Sequence, residues 1–217
     1  EYFLPAGYVF TIWGVNYFGL LALGIWQALP KQSSNPRVRS SAVWLAVTSL
    51  CNPIWILLAS YQTFVPWTVP VLIAMEVSAW IAYIQLEINR NNAISRTERF
   101  LQIPLQIYVG WLSVATIANT EAALNILKWN LFGIDPITWA ITMLLVSTIA
   151  AYVIGKLANN DNIYRAVFVW AYIGIVVEQY NTPSVALTAG VMALLVLVMI
   201  FTSTNSNQLE ILHKTLS

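Results

Sequence analysis

Charge is what this sequence has least of. Asp, Glu, Lys and Arg together supply 9% of its 217 residues, where an average soluble domain carries roughly 25%. Hydrophobic residues reach 59% and the mean hydropathy is +0.69. A chain so composed cannot cover a water-facing surface, so it belongs in a lipid bilayer. Cysteine and histidine are scarcer still. A lone Cys51 excludes an internal disulfide and any thiolate-rich zinc or iron–sulfur site. The one histidine, His213, falls in a polar tail and reads as a solvated side chain, so no metal site is expected. No GxGxxG, P-loop Gly-Lys pair, HExxH or GxSxG occurs. A net charge of +1 gives no electrostatic argument for a nucleic-acid partner.

Two further absences narrow the membrane classes. The last apolar run, 184–203, contains no Lys, which rules out a retinal Schiff base in the final helix. A pump or ion transporter shows several ionisable groups at mid-membrane depth. Only Glu76 lies there, because Glu121 and Glu178 fall near the outer interface. No broken pair of helices or charged path calls for a transporter either.

Apolar runs are what the chain has in excess. A span needs about 20 mostly apolar residues to cross roughly 30 Å of hydrocarbon. Punctuation by charge, Pro, Asn and Ser gives seven candidates, at about 4–29, 42–61, 67–88, 100–127, 137–157, 164–180 and 184–203. Pro66, Pro136 and Pro183 each precede an apolar run, where a helix start tolerates Pro. The expected fold is all-α, a polytopic membrane helix bundle with about seven transmembrane helices visible. Alternation places Lys31, Arg37, Arg39, Arg90, Arg96, Arg99, Lys156, Arg165 and Lys214 on one side, nine of the ten basic residues. Basic residues mark the cytoplasmic side, so the C-terminus is expected there and Glu1 outside. A chain that starts in the cytoplasm then needs one more helix upstream of Glu1. The host would be a bacterial plasma membrane or a thylakoid, which impose the same hydropathy.

The fourth run is unusual. It strings Ser113, Thr116, Asn119 and Thr120 among Gly110, Ala115, Ala118, Ala122 and Ala123. Steps of three and four place Tyr108, Trp111, Ala115 and Asn119 on one helix face. Small residues let membrane helices approach closely, and Ser, Thr and Asn bond across the gap. The same face also suits a ligand pocket, with aromatic plates around one amide. The residues alone leave both readings open.

The order Tyr108-x2-Trp111-x3-Ala115-Thr116-x2-Asn119 resembles the signature of the last core helix in the TspO/MBR family, the translocator-protein and tryptophan-rich sensory protein group. PAGYVFTIWGVNY (5–17) is similar to the Pro-led start of that family's second helix, with Tyr8-Val9-Phe10 where Trp-Val-Phe is usual, and Trp13-x3-Tyr17 after it. LCNPIW (50–55) is similar to the Asn-x2-Trp of the third helix, at Asn52 and Trp55. Here Pro53 follows Asn52 and removes a backbone donor, so a kink is expected in the second span. The resemblance covers about residues 4–127. It implies a division into residues 1–127, a TspO-like bundle whose first core helix lay upstream, residues 128–203, three additional spans, and residues 204–217, a polar cytoplasmic tail.

The family is associated with binding porphyrins and related tetrapyrroles, and in some members sterols, within the bundle. The resemblance therefore implies a receptor-like binding protein whose ligand is a porphyrin, haem or chlorophyll-type tetrapyrrole, or another flat hydrophobic molecule. The residues expected to line its cavity are Tyr8, Trp13, Tyr17, Asn52, Trp55, Tyr108, Trp111, Ala115 and Asn119. Glu76 joins them because a carboxylate at mid-membrane depth is costly to keep without a task. Some relatives have been proposed to degrade porphyrin by a Trp-dependent photoreaction, yet no catalytic group can be named in this chain. The partners expected are the lipid bilayer and a hydrophobic small molecule, with a homodimer or a larger membrane complex open. A second class of function is a structural or pigment-carrying subunit of a larger, photosynthetic complex. No span contains the His that chlorophyll magnesium most often takes, so Glu76, Asn52, Gln106 or water would have to replace it. Val146-x5-Tyr152-x3-Lys156 fits a loose cholesterol-contact pattern that is too degenerate to assign a ligand.

Overall fold

A computed structural model describes residues 2–91, 93–129 and 133–216, with side chains described as far as Thr204. The side chains of His213 and Lys214 therefore lie outside the described residues. A 3-10 turn, Gly7–Thr11, leads into α1, Ile12–Gln27. Among the described residues six further α-helices follow: α2 Pro36–Ala59, α3 Val65–Gln85, α4 Arg96–Ile126, α5 Pro136–Leu157, α6 Asn162–Glu178 and α7 Pro183–Leu216. There is no strand among the described residues.

Local chemistry sets most of the starts. Asn35 caps α2 by accepting from the Arg37 amide, with Pro36 in the first turn. The Ser95 hydroxyl accepts from the Glu98 amide at the head of α4, a Ser-x-x-Glu start with the carboxylate in the first turn. Asp135 and Asp161 each cap a helix by accepting two amides, those of Ile137 and Thr138 and those of Ile163 and Tyr164. Burial holds the Asp161 carboxyl above its usual range, although the Tyr83 hydroxyl donates to it. A cap explains one departure from the hydropathy reading, and the lack of a stop signal explains another. α2 begins six residues before 42 because Asn35-Pro36 starts the helix ahead of its apolar run. α7 runs on to Leu216 because its polar end carries no Gly or Pro to stop it.

Among the described residues six helices are long and apolar enough to cross a membrane, α1 when counted with its 3-10 turn as Gly7–Gln27; α6 falls short of that length. At 17 residues it spans about 25 Å, less than the ~30 Å of a hydrocarbon core. Its neighbours cover most of it: Tyr164, Phe168, Ala171, Tyr172 and Ile175 are fully buried, while Ala166, Ile173 and Val177 are exposed. The most interior helix is α4. Within its apolar stretch 61% of residues are buried, against 17–28% for the other five spanning helices. It packs on α1, α3 and α6. That position accounts for its small residues. A Cβ on Gly110 would press on the Tyr164 carbonyl and on Val167 at 3.0 Å. One on Gly19 of α1 would run into the Pro104 ring of α4. The helices after residue 127 join the same core, since the Ala6 amide donates to the Gly174 carbonyl and the Trp170 indole to the Val9 carbonyl.

The two ends of the bundle differ. At one end Arg37 pairs with Glu98 at 2.8 Å and donates to the Leu86 carbonyl, which joins α2, α3 and α4. Tyr83 reaches Asp161 there, and Asn162 accepts from Ser203. This end gathers the basic loops. At the opposite end Glu121 of α4 accepts from the backbone amides of Tyr2 and Phe3.

Candidate functional site

The aromatic residues of α1, α2 and α4 converge on Trp13. Its ring stacks on Tyr17 at 5.5 Å and 25°, one turn further along α1, and lies 5.3 Å from Trp55 of α2. Tyr108 and Trp111 of α4 meet it edge-on at 6.4 and 6.1 Å, and Phe10 meets Trp111 at 5.7 Å. Edge-on and offset pairs of this kind each add about 0.5–1.5 kcal/mol beyond the area they bury. The cluster is a rigid wall between three helices.

Amides and hydroxyls fix the rings in place. The Tyr17 hydroxyl donates to Asn52 Oδ1 at 3.0 Å. The Trp55 indole donates to Asn119 Oδ1 at 3.3 Å, and Thr68 donates to the same oxygen at 3.1 Å. Asn119 in turn donates to the Ala115 carbonyl one turn back in its own helix. Thr48 Oγ1 lies 3.1 Å from both the Tyr108 hydroxyl and the Met75 carbonyl, tying α2 to α3 and α4. Two buried polar groups of α1 and α4 beside this cluster have no hydrogen-bond partner: the Trp111 indole N–H and the Asn16 side-chain amide. Asn16 sits four residues after Ile12 and three before Gly19, on the face of α1 that packs against α4.

Beside this wall lies an open groove. α1 packs chiefly on α4 and α2 chiefly on α3, so α1 and α2 diverge and leave a cavity of about 610 Å³ between them. Tyr17, Asn52 and Tyr108 form its polar end, and Leu21, Gly24 and Ile56 line its apolar flanks. Pro53, which belongs to the lining, has no N–H to give to the carbonyl of Ser49, another lining residue. α2 runs through Pro53 as one helix. The volume falls within the roughly 300–1,000 Å³ of small-molecule sites.

Eight of the residues named from the sequence are thus joined in one network: Trp13, Tyr17, Asn52, Trp55, Tyr108, Trp111, Ala115 and Asn119. Of these, Tyr17, Asn52 and Tyr108 face the groove, and Trp111 is buried behind it at 1% exposure. Tyr8 and Glu76 lie elsewhere. Tyr8 packs edge-on against Trp170 of α6 at 5.5 Å. Glu76 accepts from Ser113 at 2.6 Å and from Thr116 at 3.1 Å, which braces α3 against α4, and Tyr164 donates to Ser113 behind it. Sequence reasoning did not name Thr48, Thr68, Gly24 or Ala28. Thr48 stands one turn before Asn52, and Tyr17, Leu21, Gly24 and Ala28 recur at helical spacing on one side of α1.

Among the described residues no group of His, Cys, Asp and Glu is arranged to hold a metal ion. A family model described as TSPO-like protein matches residues 1–202, well past residue 127, where the sequence motifs end. No curated protein and no solved structure matches the chain.

Proposed function

The chain belongs to the TSPO-like protein family, and from that premise we propose that it binds a flat hydrophobic ligand of the tetrapyrrole class in the groove between α1 and α2. With six helices of spanning length it is an integral membrane protein of the TspO type. One observation carries the ligand reading: a mostly apolar groove of about 610 Å³ ends on the Tyr17–Asn52 pair and is backed by the ring of Trp13. A macrocycle gains from aromatic faces, and a few fixed polar groups orient it. Tyr17 and Asn52 are the contact residues in this reading. Trp13, Trp55, Trp111 and Asn119 hold them in place, and Tyr108 closes the floor. Ligand enters from the side, through the gap that α1 and α2 leave.

The test is titration of the purified protein in mild detergent with protoporphyrin IX, following the Soret band and Trp fluorescence. Saturable change at one site per chain, weakened at least fivefold in Asn52→Ala, supports the proposal. A linear, non-saturating response, or an Asn52→Ala curve that overlays the parent, defeats it.

A further inference from the structure

Arg165, in the first turn of α6, is 2% exposed and has no carboxylate within 4.0 Å among the described residues. A guanidinium carries five N–H donors. Here two are engaged, Nη1 with Asn162 Oδ1 at 3.0 Å and Nη2 with Asn160 Oδ1 at 3.3 Å. Nε is buried without a partner, and with one acceptor each the two terminal nitrogens have a second N–H to offer. The adjacent acid, Asp161, is occupied: it accepts from the Tyr83 hydroxyl and from the Ile163 and Tyr164 amides. α5 makes room for the side chain with Gly155, where a Cβ would stand 2.7 Å from Arg165 Nε. Asp161 attracts the guanidinium only from beyond 4.0 Å, and a buried cation without a direct carboxylate contact is costly to hold.

The guanidinium borders a cavity of about 240 Å³ between α5, α6 and α7, which Lys156, Tyr152, Met199 and Ser203 also line. Lys156 Nζ stands 5.7 Å above the Tyr152 ring. The site therefore presents two cations, and the positive end of the α6 dipole adds to them. The hydroxyl protons of Thr202 and Ser203 already go to helix carbonyls and to Asn162. On α5 and α7, Val153, Leu157, Leu195 and Val198 are exposed apolar residues, a surface suited to acyl chains. The cavity lies at the basic end of the bundle, where Lys156 stands in the last turn of α5 and Arg165 in the first turn of α6, and in a bilayer such an end meets headgroups.

We propose that the cleft between α5, α6 and α7 binds a phosphate oxyanion on Arg165 and Lys156, its source being the headgroup of an anionic phospholipid. Phosphate oxygens supply the acceptors that Arg165 lacks, and basic pockets between helices at a cytoplasmic face are suited to such headgroups. The site is separate from the α1–α2 groove and stands or falls without it.

The experiment measures the thermal unfolding midpoint of delipidated protein in detergent against three probes: short-chain phosphatidylglycerol, the matching diacylglycerol and inorganic phosphate. The parent is compared with Lys156→Gln and Arg165→Gln. Lys156 is exposed, so its variant folds even if Arg165→Gln does not. A saturable rise with phosphatidylglycerol, absent with diacylglycerol and displaced at least fivefold to higher lipid in Lys156→Gln, supports the site with a lipid source. If inorganic phosphate gives the same Lys156-dependent rise, the oxyanion site stands with a soluble source. Equal rises with diacylglycerol and phosphatidylglycerol, or a Lys156→Gln curve identical to the parent, overturn the proposal.

Discussion

Gly24→Trp separates ligand binding from folding more cleanly than any truncation does. Gly24 lines the α1–α2 groove, and a Cβ added there meets nothing within 4 Å. The new indole enters the groove without pressing on the backbone. A buried aromatic side chain covers roughly 150–250 Å², and at about 25 cal/mol per Å² that contact is worth about 4–6 kcal/mol to a ligand that would otherwise use it. Loss of even a third of it weakens binding about tenfold or more, at ~1.4 kcal/mol per tenfold. The fold is not weakened, because replacing Gly inside a helix gains about 0.5 kcal/mol of propensity. Protoporphyrin titration and thermal unfolding of the same preparation read both effects. Gly14→Trp is the control. Its Cβ also meets nothing within 4 Å, and it does not line the groove. Parent-like affinity in folded Gly24→Trp would refute the groove assignment, and so would an equal loss in Gly14→Trp.

Asn119→Ala strips the acceptor from the Trp55 indole and leaves Thr68 only the Val65 carbonyl; it should cost about 1–3 kcal/mol and weaken porphyrin binding without unfolding the protein, read by thermal unfolding and titration together. Trp111→Phe should likewise weaken binding, by loosening the edge contact with Trp13 rather than by removing a ligand contact. Thr48→Val removes the buried bonds to the Tyr108 hydroxyl and the Met75 carbonyl and should destabilise by about 1–3 kcal/mol in the same unfolding assay. Gly19→Leu drives a side chain into Pro104 and should cost about 1–3 kcal/mol as α1 moves off α4. Arg37→Met leaves Glu98, nearly buried, without its cation. A loss of about 1–2 kcal/mol is expected, between surface and buried pairs.

The number and order of the helices were legible because hydropathy and charge are read at the scale of a whole span. The ends were less so. Hydropathy alone missed that Asn35-Pro36 starts α2 ahead of its apolar run, and that α7 continues past residue 203. Local caps carried the first signal, and the second has no apolar periodicity to reveal it. The spacing of Tyr108, Trp111, Ala115 and Asn119 did place one face of α4 in a common network. What it could not supply is which helices diverge. The groove exists because α1 leans on α4 while α2 leans on α3, a tertiary choice that no single helix encodes. For the same reason Glu76, conspicuous in the sequence, reads differently in the fold: Ser113 and Thr116 hold it between α3 and α4. Tyr8 turns to Trp170 of α6, a helix for which the sequence offered no motif.

The most direct test of the central claim is a structure of the full chain determined with protoporphyrin IX bound. The account predicts the macrocycle between α1 and α2, with its edge at Tyr17 and Asn52 and the Trp13 cluster behind it. Macrocycle density elsewhere, with the α1–α2 groove filled only by lipid or detergent, would contradict it.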